Sequence, residues 1–173
     1  TGATGALDAA QWAQEQPMRI GRGFDIHRMA PHGDPEVGGP VTIGGVVFAY
    51  FELGIVAHLD GDVIYESIVE SIVGALALPD IEQLFLDTDP RWKGVASDVF
   101  MQEAFRQMDQ RGYRVGNIDV TLIAEAPRMV IKDHPLLLQC PNNRVNVKAK
   151  KHSEVGAVNE KRVISCYCVT IIE

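Results

Sequence analysis

The segment GFDIHRM carries two side chains that can bind a metal ion, Asp25 and His27. The segment alternates as a β-strand does, and in a strand side chains two positions apart emerge on the same face, about 7 Å apart. A carboxylate and an imidazole so placed can share one ion. Because a catalytic zinc usually takes three protein ligands and leaves one position open, the pair predicts a third ligand elsewhere in the chain.

A helix predicted after the segment AHLDGD supplies the candidate. Apolar residues recur every four positions from Ile64 to Leu76, which indicates a helix that begins at Asp60 or Asp62. Asp62, Glu66 and Glu70 share this spacing and form a carboxylate stripe from the positive end of the helix. Such a stripe is most often a solvated acidic face. A histidine and two aspartates packed around a glycine favour a site instead.

The rest of the chain predicts the elements that position these residues. A second helix is expected from Ser97, as N-cap, to Arg111, where Gly112 ends it. Strands are expected at residues 18–28, in both arms of VTIGGVVF around Gly44 and Gly45, and in NIDVTLIAEAP, RVNVKAK and RVISCYCVTII. Strands interleaved with helices, without an internal repeat, predict an α/β or α+β fold with helices on one face of a mixed β-sheet.

Composition sets the limits on function. A chain of 173 residues with 46% hydrophobic content fits one domain, expected at 18–173, after a tail or processed-leader remnant at 1–17. A net charge of −7 argues against a nucleic-acid or anionic-membrane surface. No apolar run reaches membrane-spanning length, and three cysteines do not make a disulfide framework. A polyanionic substrate would need local positive charge or a metal.

Six segments, in order, resemble the 2-C-methyl-D-erythritol 2,4-cyclodiphosphate synthase family of the non-mevalonate isoprenoid pathway. They are RIGRGFDIHRM, VTIGGVVF, GIVAHLDGDV, ALALPDIEQLFLDTDPRWKG, GYRVGNIDVTLIAEAPRM and VNVKA. The resemblance implies a homotrimer of α/β subunits with three active sites, each between neighbouring subunits. It implies a phosphorus–oxygen lyase: the 2-phosphate of a cytidine diphosphate ester attacks the β-phosphorus, closing a cyclic diphosphate and releasing CMP.

The resemblance also implies a zinc ion held by an Asp-x-His pair and one helix histidine. Asp25 and His27 match the pair, and Glu66 stands where the helix histidine is expected. Glutamate is a legitimate zinc ligand, so these three residues are the candidate metal set. The added negative charge would weaken zinc as an electrophile facing phosphate. His58 matches a loop histidine that contacts phosphate, and Leu59 replaces the serine beside it.

After VNVKA the family has threonines and a glutamate that contact phosphates and a second divalent cation. An ungapped alignment puts Lys151 at the key threonine and Ser153 at the glutamate. A one-residue slip puts Ser153 and Glu154 at the last threonine and the metal-binding acid, and both alignments stay open. His58 and Lys151 are the candidate catalytic residues, with a solvated lysine pair as the alternative for the second.

Nucleotide and sugar contacts are implied by three further matches. Asp80 fits a ribose-binding acid, while Glu82 replaces a small glycine. The segment LFLDTDP matches a loop that contacts the methylerythritol phosphate, with Leu86 in place of a proline. The residues expected to contact substrate in these segments are Asp80, Asp87, Thr88, Asp89, Ala124, Ala126, Pro127, Arg128 and Met129.

Two departures affect other parts of the family pattern. The segment KDHPLLLQCPNN is short and bracketed by prolines, so it leaves room for little more than one helical turn. Glu160 replaces an arginine of the central trimer cavity, which predicts that an anion site there is lost.

Two functions from different classes stay open. One is an active cyclodiphosphate synthase with zinc, and with a second divalent cation where Ser153 and Glu154 permit it. The other is a catalytically degenerate homologue that serves as a structural subunit of a larger complex. In either case the chain is expected to form a trimer with itself or with paralogues, in a plastid or other organelle stroma or, alternatively, in a bacterial cytoplasm.

Two structural expectations follow from the resemblance. Alternate residues of the last strand are expected to line a subunit contact: either Val163, Ser165, Tyr167 and Val169, or Ile164, Cys166 and Cys168. The carboxylates of Asp25, Asp62, Glu66 and Glu70 are expected to approach one another, which requires a cation among them or a protonated carboxyl.

Overall fold

The predicted frame of strands and helices is present in the computed structural model, which describes residues 17–57, 59–86, 95–127 and 141–173. The strands are β1 (Arg19–Pro31), β2 (Gly39–Pro40), β3 (Thr42–Ile43), β4 (Val46–Val47), β5 (Leu53–Val56), β6 (Val115–Ile123), β7 (Val145–Lys150) and β8 (Val163–Ile172). The helices are α1 (Val63–Ala75), α2 (Ile81–Leu84), α3 (Ser97–Gln110) and α4 (Gly156–Asn159), with a 3-10 turn at Asn142–Arg144.

Six of these strands form one mixed sheet in the order β2-β5-β1-β8-β6-β7. Strands β6 and β7 are parallel, and the other neighbours are antiparallel. The two longest strands, β1 and β8, lie in the middle and pair from Arg19 with Ile172 to Arg28 with Val163. Helix α1 packs on β1 and β8, and α3 packs on α1. The predicted fold class, a mixed sheet with helices on one face, is confirmed.

Helix α1 lies unusually close to β1 because glycines face it. A Cβ atom at Gly21 would lie 1.7 Å from the Ser71 carbonyl oxygen, and one at Gly23 would lie 1.8 Å from that of Ser67. The helix backbone therefore rests on strand backbone with no side chain between them. Asp25 and His27 follow on the same face of the strand, so this contact determines how near they come to α1.

The two faces of β8 differ sharply in exposure. Ile164, Cys166 and Cys168 are fully buried in the core beneath α1. The alternative in which these three residues line a subunit contact is therefore wrong, because the subunit's own helix covers them. The opposite face of the sheet exposes large apolar side chains: Ile20, Phe24, Ile26, Tyr167 and Val169.

None of the helices in the described ranges combines the length and the apolar character that a membrane span requires.

Strands β3 and β4 form the predicted hairpin, with Gly44 and Gly45 in its turn at φ of 57° and 78°. Positive φ at both turn residues is the conformation that glycine adopts at no steric cost. Strand β5 and the short helices α2 and α4 were not predicted. Each has only four residues, which is too short to show a hydrophobic period. Residues 128–140, which include most of KDHPLLLQCPNN, lie outside the described ranges.

Candidate metal centre

The contact between β1 and α1 brings Asp25, His27 and Glu66 together. His27 Nε2 lies 3.1 Å from Asp25 Oδ2 and 3.3 Å from Glu66 Oε2. One ligand atom from each residue lies within 4.8 Å of the other two. The predicted juxtaposition is therefore present. Metal binding by these three residues stays a prediction.

The chemistry of this group fits a divalent cation. Asp25 Oδ1 accepts a hydrogen bond from the Ile26 N–H at 2.8 Å. Asp25 Oδ2 is buried and makes no well-aligned hydrogen bond within the described residues, although His27 Nε2 faces it. A buried carboxylate oxygen without a donor is costly unless a cation compensates it. Two carboxylate oxygens and one imidazole nitrogen are a donor set that Zn²⁺ accepts.

Without a metal, His27 is the cation that compensates the two acids. Burial by itself lowers the pKa of His27. The hydrogen bonds and negative charges of Asp25 and Glu66 raise this pKa by more than burial lowers it, to about 10. The prediction that clustered carboxylates need a cation among them is thus met by an imidazolium. A metal bound here would displace this proton, since histidine binds metal only through a neutral ring nitrogen.

The second carboxylate oxygen of Glu66, Oε1, lies beside Ser97, and Ser97 is in turn bonded to Asp60. Ser97 Oγ lies 3.0 Å from Glu66 Oε1 and 2.5 Å from Asp60 Oδ1, and the Ser97 N–H donates to Asp60 Oδ2 at 3.1 Å. The N-cap of α3 is Ala96, whose side chain makes no capping bond, so the predicted N-cap role of Ser97 is wrong by one residue. Asp60 takes that role from a distant segment, because it accepts the first free N–H of the helix.

Asp62 does not join the group, which corrects the predicted carboxylate stripe. It is the fully buried N-cap of α1 and accepts from the N–H groups of Ile64 at 3.1 Å and Tyr65 at 3.2 Å. It also accepts from Gly44 at 2.7 Å and Gly45 at 2.6 Å in the β3–β4 turn. A cap side chain turns back over the first helical turn, so helical spacing does not place it beside Glu66.

A cavity of about 910 Å³ adjoins the group. Its acidic lining residues are Asp25, Glu66, Glu70, Asp80 and Glu82. Burial raises the pKa of Glu70, and the charges of Asp80 and Asp25 raise it further. A phosphate group would be repelled by such a lining unless a cation were bound.

Three positions where the sequence departs from the family pattern also line this cavity. They are Leu59, Glu82 and Leu86. Two of them add apolar surface, and Glu82 adds a charge. The departures at Lys151, Ser153 and Glu160 are exposed and do not line this cavity.

Asp80, the predicted ribose-binding acid, lines the same cavity and is exposed. Its side chain caps the short helix α2, accepting from the Gln83 N–H at 2.9 Å and the Gln83 Nε2 at 3.1 Å. The cap holds the carboxylate at a fixed place on the rim. Ribose binding by Asp80 stays a prediction.

The remaining predicted residues are in two groups. Ala124, Ala126 and Pro127 are half-buried after β6, where the Ala124 N–H donates to the Lys150 carbonyl at 3.0 Å. Lys151 is exposed, and its Nζ lies 2.7 Å from Glu125 Oε1. None of these residues is among the described residues that line the cavity. The others lie outside the described ranges: His58, Asp87, Thr88, Asp89, Arg128 and Met129.

Comparison with known proteins gives the family. A sequence profile of the YgbB family matches residues 18–173. The chain belongs to the YgbB family. Within it, the chain is 44% identical over 162 residues to the chloroplastic 2-C-methyl-D-erythritol 2,4-cyclodiphosphate synthase of Arabidopsis thaliana, covering 90% of this chain and 67% of that protein.

Two further relatives extend the comparison. The 2-C-methyl-D-erythritol 2,4-cyclodiphosphate synthase of Proteus mirabilis is 41% identical over 161 residues, covering 90% of this chain and 96% of that one. The structure of IspF from Plasmodium falciparum as a CDP complex superposes with a TM-score of 0.75 at 31% identity, covering 91% of this chain and 97% of that one. The family resemblance predicted from the sequence is confirmed.

Proposed function

We propose that this chain is a 2-C-methyl-D-erythritol 2,4-cyclodiphosphate synthase, which cyclises a cytidine diphosphate ester of methylerythritol 2-phosphate and releases CMP. The observation that carries the proposal is the convergence of Asp25, His27 and Glu66 beside the cavity. Relatives at 41–44% identity have this activity in their names, and one solved relative holds CDP. Nothing in the described residues or in the comparisons favours the degenerate scaffold over the enzyme.

In this function Asp25, His27 and Glu66 would hold a divalent cation, which we propose to be Zn²⁺. When bound, the cation supplies the positive charge that phosphate oxygens require in phosphoryl transfer. Each of the three side chains is less than one-fifth exposed, so little of their charge is in contact with water. A second divalent cation near Ser153 or Glu154 is part of the same proposal.

The chain's other residues bind and orient the substrate. Asp80 would accept hydrogen bonds from ribose hydroxyls at the rim of the cavity, where its cap fixes it. The Ala124–Pro127 segment would surround the base through backbone groups, and Lys151 would neutralise phosphate charge. Holding attacker and leaving group in line is the main task, since phosphoryl transfer is catalysed largely by positioning and charge.

A trimer would supply what one subunit lacks. The base-binding segment and Lys151 are absent from the described lining of the cavity that holds the candidate ligands. We therefore propose that a neighbouring subunit brings these residues to it. The exposed apolar face with Phe24, Ile26 and Tyr167 is the surface proposed to pack around the threefold axis.

The plastid is the proposed compartment. The relatives from Arabidopsis thaliana and Oryza sativa are both named chloroplastic, at 44% and 42% identity. A bacterial relative at 41% identity supports the alternative, a bacterial cytoplasm.

The test is CMP release from the authentic substrate, measured together with bound metal. Wild-type protein is expected to hold one zinc per chain and to turn over. His27→Ala should lose the metal and at least about 100-fold in rate. His32→Ala is the matched control, because His32 is an exposed histidine whose Nε2 lies 2.8 Å from the Phe51 carbonyl oxygen and which is not among the described residues that line the cavity. Wild-type protein without turnover would contradict the proposal.

A further inference from the structure

Ser97 is placed to decide how Glu66 can bind a metal. We propose that Ser97, held by Asp60, is a positioning residue that reserves Glu66 Oε2 as a one-oxygen ligand. The proposal rests on the metal centre of the proposed function. It concerns the serine at the start of α3, which the sequence indicated only as a helix cap.

Ser97 is itself fixed at two points. Both oxygens of Asp60 hold it: Oδ2 accepts its backbone N–H at 3.1 Å, and Oδ1 lies 2.5 Å from its hydroxyl. The residue is fully buried, so water does not compete for these contacts. Because the backbone bond is independent of the hydroxyl, Asp60 can anchor the helix start even where the hydroxyl is removed.

The two oxygens of Glu66 are divided between two partners. The Ser97 hydroxyl has one proton, which Glu66 Oε1 at 3.0 Å and Asp60 Oδ1 at 2.5 Å share as acceptors. Glu66 Oε2 lies 3.3 Å from His27 Nε2. Asp25 is divided in the same way, since the Ile26 N–H holds Oδ1 and leaves Oδ2 facing the imidazole. Each acid therefore presents one oxygen to the centre.

This division matters because glutamate is a less defined ligand than histidine. An imidazole offers one nitrogen from a rigid ring, whereas a glutamate carboxylate has two equivalent oxygens on a chain with three rotatable bonds. Free, it can bind a cation through one oxygen or both. Holding Oε1 makes Glu66 act as a one-atom donor, which is the role that a histidine would have at this position. The Ser97–Asp60 pair thus compensates for the glutamate.

The experiment titrates metal-free protein with Co²⁺, whose visible absorption reports coordination number. Ser97→Ala should lower Co²⁺ affinity about tenfold, as loss of a partner that orients a ligand does. Its spectrum should shift to the weaker absorption of higher coordination as Glu66 binds through both oxygens. Ser97→Thr, which restores a hydroxyl, should recover both properties. Ser71→Ala is the matched control: Ser71 is a buried serine bonded to Thr170, and its loss should leave Co²⁺ binding unchanged.

A double-mutant cycle separates positioning from folding. In a Glu66→Ala background, Ser97→Ala should cause no further loss of Co²⁺ affinity, because its effect passes through Glu66. If Ser97→Ala does not fold, Ser97→Cys, whose thiol is a weak donor, replaces it and should lower affinity in the same direction. Equal affinity and equal spectra for wild type and Ser97→Ala would overturn the proposal. Wild-type protein that binds neither Co²⁺ nor Zn²⁺ would overturn the metal centre and, with it, the role of Ser97.

Discussion

Glu66 is the single residue whose replacement tests the metal centre most directly. Glu66→His exchanges a charged oxygen ligand for a neutral nitrogen and removes one negative charge from the group. We expect zinc affinity to rise about tenfold, measured by calorimetric titration. The melting temperature should rise with zinc and not with chelator, because binding to the folded state alone stabilises it.

Glu70→Gln is the control for charge alone. Glu70 lines the same cavity and lies one turn further along α1, outside the three candidate ligands. It should change zinc affinity far less than Glu66→His. The basic side chain that faces Glu66 within the described residues is His27. A Glu66→His protein with unchanged zinc affinity and unchanged melting would contradict metal binding by this group.

Asp62 gives a prediction about pH. Burial raises its pKa from 3.8 to about 6, although backbone N–H groups of Gly45, Gly44 and Tyr65 lower it in part. At a pH between these two pKa values, the Asp62 carboxyl is still protonated in the folded protein but has lost its proton in the unfolded chain. The stability from this group is therefore full below about pH 4 and is lost as pH rises through 6. Relative to Asp62→Asn, which does not titrate, wild type should lose about 1–3 kcal/mol of unfolding free energy over this range.

Urea denaturation of both proteins between pH 4 and 8 measures this difference directly. Other titrating groups act on both proteins, so they cancel in the comparison. A difference that stays constant with pH would show that the four N–H donors fully offset the burial of Asp62. A difference that grows with rising pH would reverse the sign and contradict the prediction.

The contact between α1 and β1 is the element-scale feature on which the site depends. Gly23→Ala would place a Cβ atom 1.8 Å from the Ser67 carbonyl oxygen, so the helix would have to move. We expect the free energy of unfolding to fall by about 3 kcal/mol, measured by urea denaturation. Zinc affinity should fall as well, because Glu66 moves with the helix.

Gly33→Ala is the control for this prediction. A Cβ atom at Gly33 would have no neighbour within 4 Å, so stability should change by less than about 0.5 kcal/mol. If Gly23→Ala were equally neutral, the strand and helix would not be packed backbone against backbone. If it lost stability and kept full zinc affinity, the site would not depend on this contact.

The sequence predicted strands and helices correctly where apolar residues recur at the period of a strand or a helix, because that period marks a buried face. β1, α1 and β8 show such periods, whereas the meeting of Asp25, His27 and Glu66 was expected from the resemblance to the family, whose ligand positions they occupy. Asp62 and Ser97 lie at helix starts, where the side chain bonds to distant backbone or side chains instead of following the helical face. Their partners, Gly44 and Asp60, are 18 and 37 residues away in sequence. Such contacts depend on tertiary packing, which a local pattern does not contain.

For the whole molecule, the exposed face of the sheet predicts assembly. Tyr167 is 42% exposed and packs against Phe24, with ring centroids 4.7 Å apart. Tyr167→Glu would place a charge in a surface proposed to be buried between subunits, so the trimer should dissociate at micromolar concentration. Sedimentation velocity measures this. Tyr50→Glu, at a fully exposed tyrosine after β4, is the matched control and should leave the trimer intact.

Wild-type protein that sediments as a monomer would contradict self-assembly. A wild-type monomer that forms a trimer only when a related chain is added would instead support assembly with a paralogue. Activity of the separated Tyr167→Glu subunits would show that the neighbour contributes no residue to the site. Under the trimer proposal these subunits should be inactive while still binding zinc, since all three candidate ligands lie in one chain.

The glycine contact at Gly21 and Gly23 also governs the response of the molecule to compression. High pressure unfolds proteins chiefly by eliminating internal voids. Helix backbone resting on strand backbone leaves no room for a void at that point. Compression should therefore leave the spacing of His27 and Glu66, which lie on this strand and this helix, nearly constant. The candidate metal ligands would then be among the last groups in the protein to separate under pressure.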